Sequence, residues 1–467
     1  MTTDLDTRKL LSMWDEALDP SAPLDPMTTE GARRYVAVDR WVAADGQIHH
    51  LRGPSDLVGE LASDIEIAAL KPSPRSTQLL AGFRGTGKST ELNRLGAALS
   101  KKTYAVLAFD VHEYLLLNAA PTQEQLGLAI AAGVAERAAE ELALEAFKQR
   151  SIWQRVREFM SQDVPQVELT LPLSGATVKA VLRESPDFAD QLKALLAKRP
   201  NRLKEFVHGI LEEVADAIAP QQLVILVDGL DKYTVPREQV VVVYRAMADL
   251  FFQEVELLRL PRCHVVYVIP PYLGFLNKGL AEAYGGRLRI LPSIKVRERP
   301  SRSQAPGGDP YEPGVRCLEQ LASRRVDLDR LFGPDRRQAI DLLALASGGH
   351  VRDLFNLLRE VLRRALSLGL PVPFGSIQGA VDALSQDRSG LFRPTVELLE
   401  AVRKSENLAA LDDAQMGALA GAMDEYLVLA YRNGDPWFGV HPLIIPLLDQ
   451  ALAALQRLGA TAQSEPR

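Results

Sequence analysis

Apolar residues follow two spacings along the chain. Short, mostly apolar runs occur at 77–83 (TQLLAGF), 102–111 (KTYAVLAFDV), 221–228 (QQLVILVD) and 263–272 (CHVVYVIPPY). Their length and lack of alternation suit strands buried on both faces, and RLRILPSIKV at 287–296 reads as a further extended segment. Between them the apolar positions recur at helical spacing, as in STELNRLGAALS and in a long helix predicted over 238–258. Strands alternating with helices predict an α/β fold with a parallel sheet covered on both sides.

The flanking regions follow other patterns. Residues 1–50 form a lead-in, an amphipathic stretch followed by turns around Pro20, Pro23 and Pro26, and a helix is expected from Ser55 to Leu70. The core spans 51–296 and carries a mainly helical insert at about 122–219. Within that insert, 161–187 reads as a small two-stranded element or an irregular excursion. Residues 297–314 (RERPSRSQAPGGDPYEPG) have the composition of a flexible surface loop. Helices at 315–324, 335–346, 350–368 and 374–387 predict an all-helical subdomain over 315–388. Beyond it come helices at 393–404 and 412–424, a hairpin turn at Asn433-Gly434 and a last helix. Helix, helix, hairpin, helix predicts a winged-helix-like domain over 389–458, with a frayed tail at 459–467.

Composition narrows the function classes. The chain has 467 residues, length for about three domains at roughly 150 residues each. Its formal net charge of -6 argues against a nucleic-acid coat protein or a polybasic membrane binder. Cys263 and Cys317 stand far apart without a CxxC partner, so buried free thiols are expected rather than a disulfide framework or a zinc knuckle. The acidic N-terminus lacks the basic flank and apolar core of an export signal, and no apolar run reaches the roughly 20 residues that span a bilayer. The expectation is a cytoplasmic protein with no membrane insertion.

The run Gly82-Phe83-Arg84-Gly85-Thr86-Gly87-Lys88-Ser89 matches the Walker A phosphate-loop pattern and lies between a predicted strand and a predicted helix. Its glycines let successive N–H groups face one concavity, and the positive end of the following helix points at the same anion. Lys88 is the cation for the β- and γ-oxygens, Ser89 the Mg²⁺ ligand, and Thr90 a candidate donor to the α-phosphate. Leu223 to Val227 form a hydrophobic strand ending in Asp228, the Walker B form, which makes Asp228 the second Mg²⁺ ligand. Asp231, just beyond, either orients the attacking water or is a loop residue paired with Lys232. Asp110, at another strand end, either joins the site or caps a loop.

With these two motifs the sequence resembles the AAA and STAND groups of P-loop NTPases, and VILVDGLDK is similar to the NACHT form of Walker B. The resemblance implies binding of ATP or ADP with Mg²⁺ and an ATP phosphohydrolase activity. Two departures stand out: Gly229 occupies the place of a glutamate common in AAA proteins, and Lys232 that of a glutamate common in NACHT proteins. Both imply slow turnover. Ser347 to Leu354 resembles the segment that carries the sensor 2 arginine, which implies a γ-phosphate contact for Arg352; a surface arginine is the alternative. His441, after the hairpin, stands where STAND winged helices carry a histidine that senses ADP, or it is a structural histidine at a corner. Arg245, Arg259 and Arg262 are candidates for an arginine reaching a neighbouring protomer, or plain surface charge. Tyr35, Val36 and Val38 form either an adenine-side lid or ordinary packing.

The leading functional expectation is an ATP-controlled conformational or assembly switch reset by slow hydrolysis, working through a protein partner or self-association. Signalling or antiviral defence would follow by analogy. A DNA-associated ATPase in replication, transposition or transcription is one alternative, and a non-hydrolysing nucleotide-binding scaffold another. The hairpin YRNGDPWFGV lacks a strong basic wing, which counts against DNA contact there, whereas RRVDLDRLFGPDRR and VRDLFNLLREVLRRA carry local positive charge.

Overall fold

The computed structural model describes residues 2–464 apart from 22, 54–55, 116–119, 150–151, 162–200, 233–238, 278, 287, 300–307, 389, 407–410, 412 and 434. Residues 162–187 of the two-stranded element expected at 161–187, and residues 300–307 of the loop expected at 297–314, therefore lie outside the described residues, while the last three residues of that loop, 312–314, already belong to the helix Glu312–Ser323. Nine strands are described: β1 (Trp41–Val42), β2 (Ile48–His49), β3 (Ser76–Gly82), β4 (Tyr104–Asp110), β5 (Gln222–Asp228), β6 (Cys263–Ile269), β7 (Leu288–Leu291), β8 (Val428–Asn433) and β9 (Asp435–Val440). The chain has an α/β P-loop core with a helical subdomain and a winged helix. It divides into two compact units, one made of residues 1–57, 83–90 and 291–467 and the other of 58–82 and 91–290.

The second unit holds a five-stranded sheet in the order β4-β5-β6-β3-β7, in which β4, β5, β6 and β3 run parallel. Burial explains why these segments read as unbroken apolar runs: every residue of β6 is buried, as are Leu223 to Val227 of β5. The parallel register sets Asp110 of β4 opposite Asp228 of β5, so two carboxylates leave the sheet at the same edge. The helix Gln123–Glu140 starts on a full capping box, with Thr122 accepting from the Gln125 N–H and the Gln125 side chain bonding back to the Thr122 N–H. The long helix expected at 238–258 is broken: Val240–Gln253 stops at Glu254, and a separate turn, Val255–Leu258, places Leu257 and Leu258 in the core.

In the first unit the helices Glu312–Ser323, Leu328–Phe332, Arg336–Ala346, Val351–Leu368 and Phe374–Gln386 share one hydrophobic core. The N-terminal residues belong to that core: Leu11, Trp14, Leu18, Val36, Val38, Trp41 and Leu51 are buried in it. Two polar ties anchor them. Asp15 accepts both the Nε and Nη2 of Arg359, at 2.7 and 2.9 Å, and Trp41 Nε1 donates to Gln320 at 2.7 Å. The winged helix consists of Arg393–Ser405, Asp413–Asp424, the antiparallel pair β8–β9 and Ile445–Ser464. The last helix continues through most of the stretch read as a tail. Tyr431 and Trp437 face each other across the hairpin with stacked rings 4.3 Å apart. Cys263 and Cys317 are both buried and free. Among the described residues no helix is long and apolar enough to cross a membrane.

Candidate functional site

The phosphate loop begins where β3 ends at Gly82, and the helix Lys88–Ser100 begins at its last residues. Gly85 and Gly87 have φ of +83° and +97°, the left-handed region where a side chain is strained. Gly85 is doubly constrained, because a Cβ there would lie 2.5 Å from Arg352 Cβ and 2.8 Å from His350 Nε2. The buried Lys88 amine donates to the Phe83 carbonyl at 2.7 Å, and Thr86 Oγ1 donates to the same oxygen at 2.8 Å. Thr90 Oγ1 accepts from the Leu24 N–H at 3.2 Å.

Three carbonyls of the loop are held from outside it. Arg52 Nη2 donates to Thr86 O at 2.5 Å, the Arg352 N–H to Gly85 O at 3.3 Å, and His350 Nε2 to Arg84 O at 2.5 Å. Arg84 itself stands 4.0 Å from Asp424. The turn before the Val351–Leu368 helix is fixed by glycines: Gly349 accepts from the Ile294 N–H at 3.1 Å, and a Cβ on it would sit 1.8 Å from Ile294 O. Tyr431 of the hairpin donates to Gly348 O at 2.7 Å. The Arg352 guanidinium reaches the Tyr426 hydroxyl at 3.4 Å, while its Nε is buried and makes no hydrogen bond.

Behind this face lies a buried polar cluster. Asp353 Oδ2 accepts from His350 Nδ1 at 2.7 Å and from His441 Nε2 at 2.8 Å, and Oδ1 accepts from Arg388 Nη2 at 2.5 Å. Both nitrogens of His350 face oxygens, Nε2 the Arg84 carbonyl and Nδ1 the Asp353 carboxylate. The hydrogen-bond partners of His441 fix its tautomer. His441 Nδ1 accepts from the Leu443 N–H at 3.2 Å, so His441 is neutral with its hydrogen on Nε2. Burial pushes the His441 imidazole down to about 4 against the pull of Asp353. For Asp353, burial alone would raise the carboxyl, but the fields and hydrogen bonds of His350 and His441 hold it well below the usual carboxylate range. The ligand atoms of His350, Asp353 and His441 lie within 4.8 Å of one another, a spacing that could suit a metal. A cation there would face the guanidinium already bound to the same carboxylate, which favours a proton-filled network.

The acidic strand ends belong to the other unit. The Lys232 amine pairs with Asp110, and the Gly229 N–H bonds Asp228 Oδ1 at 2.8 Å. Burial opposes the Lys232 charge, but the bond to Asp110 and the fields of Asp228 and Asp231 hold its pKa above the ordinary value. Gly229 has φ of +89°, and a Cβ on it would fall 1.8 Å from Asp110 Oδ1. That close approach is the physical reason glycine follows Asp228. Asp231 is buried, 6% exposed, and the direct partner of Lys232 is Asp110.

Of the residues proposed from sequence, the first unit brings together Phe83 to Thr90, Arg352 and His441; the second holds Gly82, Asp228 and Asp231. His441 bonds Asp353. Val36 and Val38 are core residues, Arg262 pairs with Asp216 at 2.6 Å and Arg259 bonds Ala283 O. Sequence reasoning passed over Arg52, His350, Asp353 and Arg388. His350 and Asp353, three apart at a helix start, carried a local signal as a pair; their meeting with residue 441 carried none.

No family model matches the chain, and no curated protein matches it. Solved structures that match include the Aeropyrum pernix ORC1 protein in complex with DNA, at 14% identity and TM-score 0.39, covering 94% of this chain and 98% of that one. Drosophila ORC bound to DNA matches at 13% identity and TM-score 0.36, covering 92% and 88%. The Aeropyrum pernix ORC2 protein in its ADPNP-ADP complexes matches at 11% and 0.36, covering 87% and 97%. A shared activity does not follow from likeness at this level.

Proposed function

We propose that the chain binds ATP with Mg²⁺ at residues 82–90 and uses the nucleotide to control the state of its helical and winged-helix modules. The observation that carries this reading is the hold on the Arg84, Gly85 and Thr86 carbonyls by His350, Arg352 and Arg52. The residues suit the ligand: two glycines in the left-handed region form the cradle, and Arg352 has a buried Nε with no hydrogen bond. Lys88 and Ser89 would hold the phosphates and the metal, with Asp228 as the acidic metal partner. The metal, when bound, would neutralise charge on the β- and γ-oxygens.

Switching requires that two states differ in affinity for the nucleotide. Lys88 supplies one such difference. Its amine bonds Phe83 O here and would have to exchange that bond for phosphate oxygens, altering the loop whose next carbonyls are held by the helical module. Slow hydrolysis is the second part of the proposal. Gly229 leaves no side chain beside Asp228, which makes Asp231 the nearest acid along the chain to orient water. Calorimetry with ATP and ADP, steady-state hydrolysis and solution mass test the reading on the intact chain, Lys88→Ala and Asp231→Asn. Loss of binding in Lys88→Ala and of turnover in Asp231→Asn is expected. Unchanged ATP affinity in Lys88→Ala would sink the assignment.

A DNA-associated output is the second reading. It accords with the DNA-bound ORC chains better than a signalling output does, while the NACHT-type reading rests on the VILVDGLDK resemblance alone. Duplex binding that strengthens with ATP and weakens steeply with salt would favour the DNA reading; no binding at low salt would remove it.

A further inference from the structure

A cavity of about 480 Å³ in the first unit lies apart from the phosphate loop and is lined by five arginines, Arg33, Arg34, Arg324, Arg325 and Arg336, against the carboxylates of Asp327 and Asp329. Most of the opposite charge is committed elsewhere. Arg336 takes both oxygens of Asp329 at 2.8 Å, and Asp327 caps the Leu328–Phe332 helix by accepting from the Arg330 N–H at 3.0 Å. Glu30 serves Arg33 and Arg34 together. Arg324 and Arg325 bond only carbonyls among the described residues: Arg324 donates to Arg33 O at 2.8 Å, and Arg325 to Arg34 O and Leu321 O at 3.2 and 2.9 Å. The Arg325 guanidinium also lies 4.6 Å from the Phe355 ring centroid.

Arg324 and Arg325, neither of them bonded to a carboxylate among the described residues, repel each other, and the burial of Arg325 strengthens the repulsion there. Burial first, then the fields of Arg34 and Arg324, push Arg325 down to about 10 against the opposing field of Glu30. An incoming anion relieves that cost, and the planar guanidinium fork fits phosphate oxygens. We propose that this cavity is a second anion site, for the phosphoryl group of a compact phosphorylated ligand. The concave shape and the Asp327 and Asp329 carboxylates among its lining favour a small ligand over a duplex, whose charges follow one another about every 1.7 Å along the axis and would meet those acids.

The test isolates this site from the phosphate loop by using full-length Lys88→Ala protein and titrating inorganic pyrophosphate by calorimetry. Saturable binding is expected, weakened roughly tenfold or more by adding Arg324→Gln, the cost of losing a charge-assisted hydrogen bond. Arg324 is exposed, so its replacement leaves the fold intact; Arg325→Gln, checked for folding by circular dichroism, should weaken binding at least as much. Affinity unchanged by both replacements overturns the proposal. So does sulfate binding as tightly as pyrophosphate, which would make the site an unselective basic patch. Arg324-dependent binding of a short DNA duplex without binding of pyrophosphate would also overturn it, and assign the arginines to nucleic acid.

Discussion

Two carboxylates, Asp353 and Asp110, each draw basic groups to themselves, and the settings differ. The Asp353 side chain is 2% exposed and those of His350 and His441 are 0% exposed, whereas the Asp110 and Lys232 side chains are 27% and 41% exposed. Water shares the charge at the second site and is excluded from the first. A buried charge whose partner is removed has no solvent to fall back on, so the same chemistry becomes a requirement in one place and an adjustment in the other.

The comparison breaks most sharply at Asp353. Asp353→Ala strands His350 and Arg388 without their carboxylate, and a loss of about 3–5 kcal/mol is expected from chemical denaturation. An Asp353 variant as stable as the parent would show that the cluster is hydrated. Next is the pH response. His441 titrates near 4 in the folded chain and near 6.5 when unfolded, so between those values the unfolded chain binds the extra proton. Stability attributable to His441 is therefore complete above about pH 6.5 and is lost as pH falls toward about 4, on the order of a few kcal/mol. Asp353, depressed further, loses its contribution at still lower pH. His441→Gln should flatten the slope of melting temperature between pH 6.5 and 4; an unchanged slope would place the titration elsewhere.

At the exposed site the effects are smaller. Gly229→Ala meets both a positive φ and the Asp110 carboxylate, and a cost of about 1–2 kcal/mol is expected by denaturant titration. Asp110→Asn, which removes the charge paired with Lys232, should cost less than about 1 kcal/mol. A larger loss would mean that the pair behaves as a buried one.

The parts of this molecule that read plainly from sequence are those whose cause is local. Continuous burial makes β3 to β6 apolar throughout, and a strand, glycine loop and helix in succession spell the phosphate loop. The hairpin turn was equally plain, with paired strands on both sides of 434. What stayed hidden depends on distant residues. Nothing near Gly229 announces that Asp110, on another strand, crowds a side chain there. Trp14 and Val36 carry no mark that they enter the core built mainly from residues 315–380, so the first 50 residues read as a lead-in. Arg352 was singled out for its guanidinium, while its backbone N–H holds the loop at Gly85 and its neighbour two residues back holds it at Arg84.

The Asp353 cluster also bears on how relatives of this chain could be recognised. Residues 350, 353, 388 and 441 are scattered over ninety-odd positions, yet each is costly to change while the others remain. A lineage can keep all four or exchange all four for well-packed apolar residues, and the intermediates are selected against. Descent should therefore leave the quartet inherited as a block, giving a spaced signature, H-x-x-D with a later arginine and histidine, that outlasts overall sequence similarity.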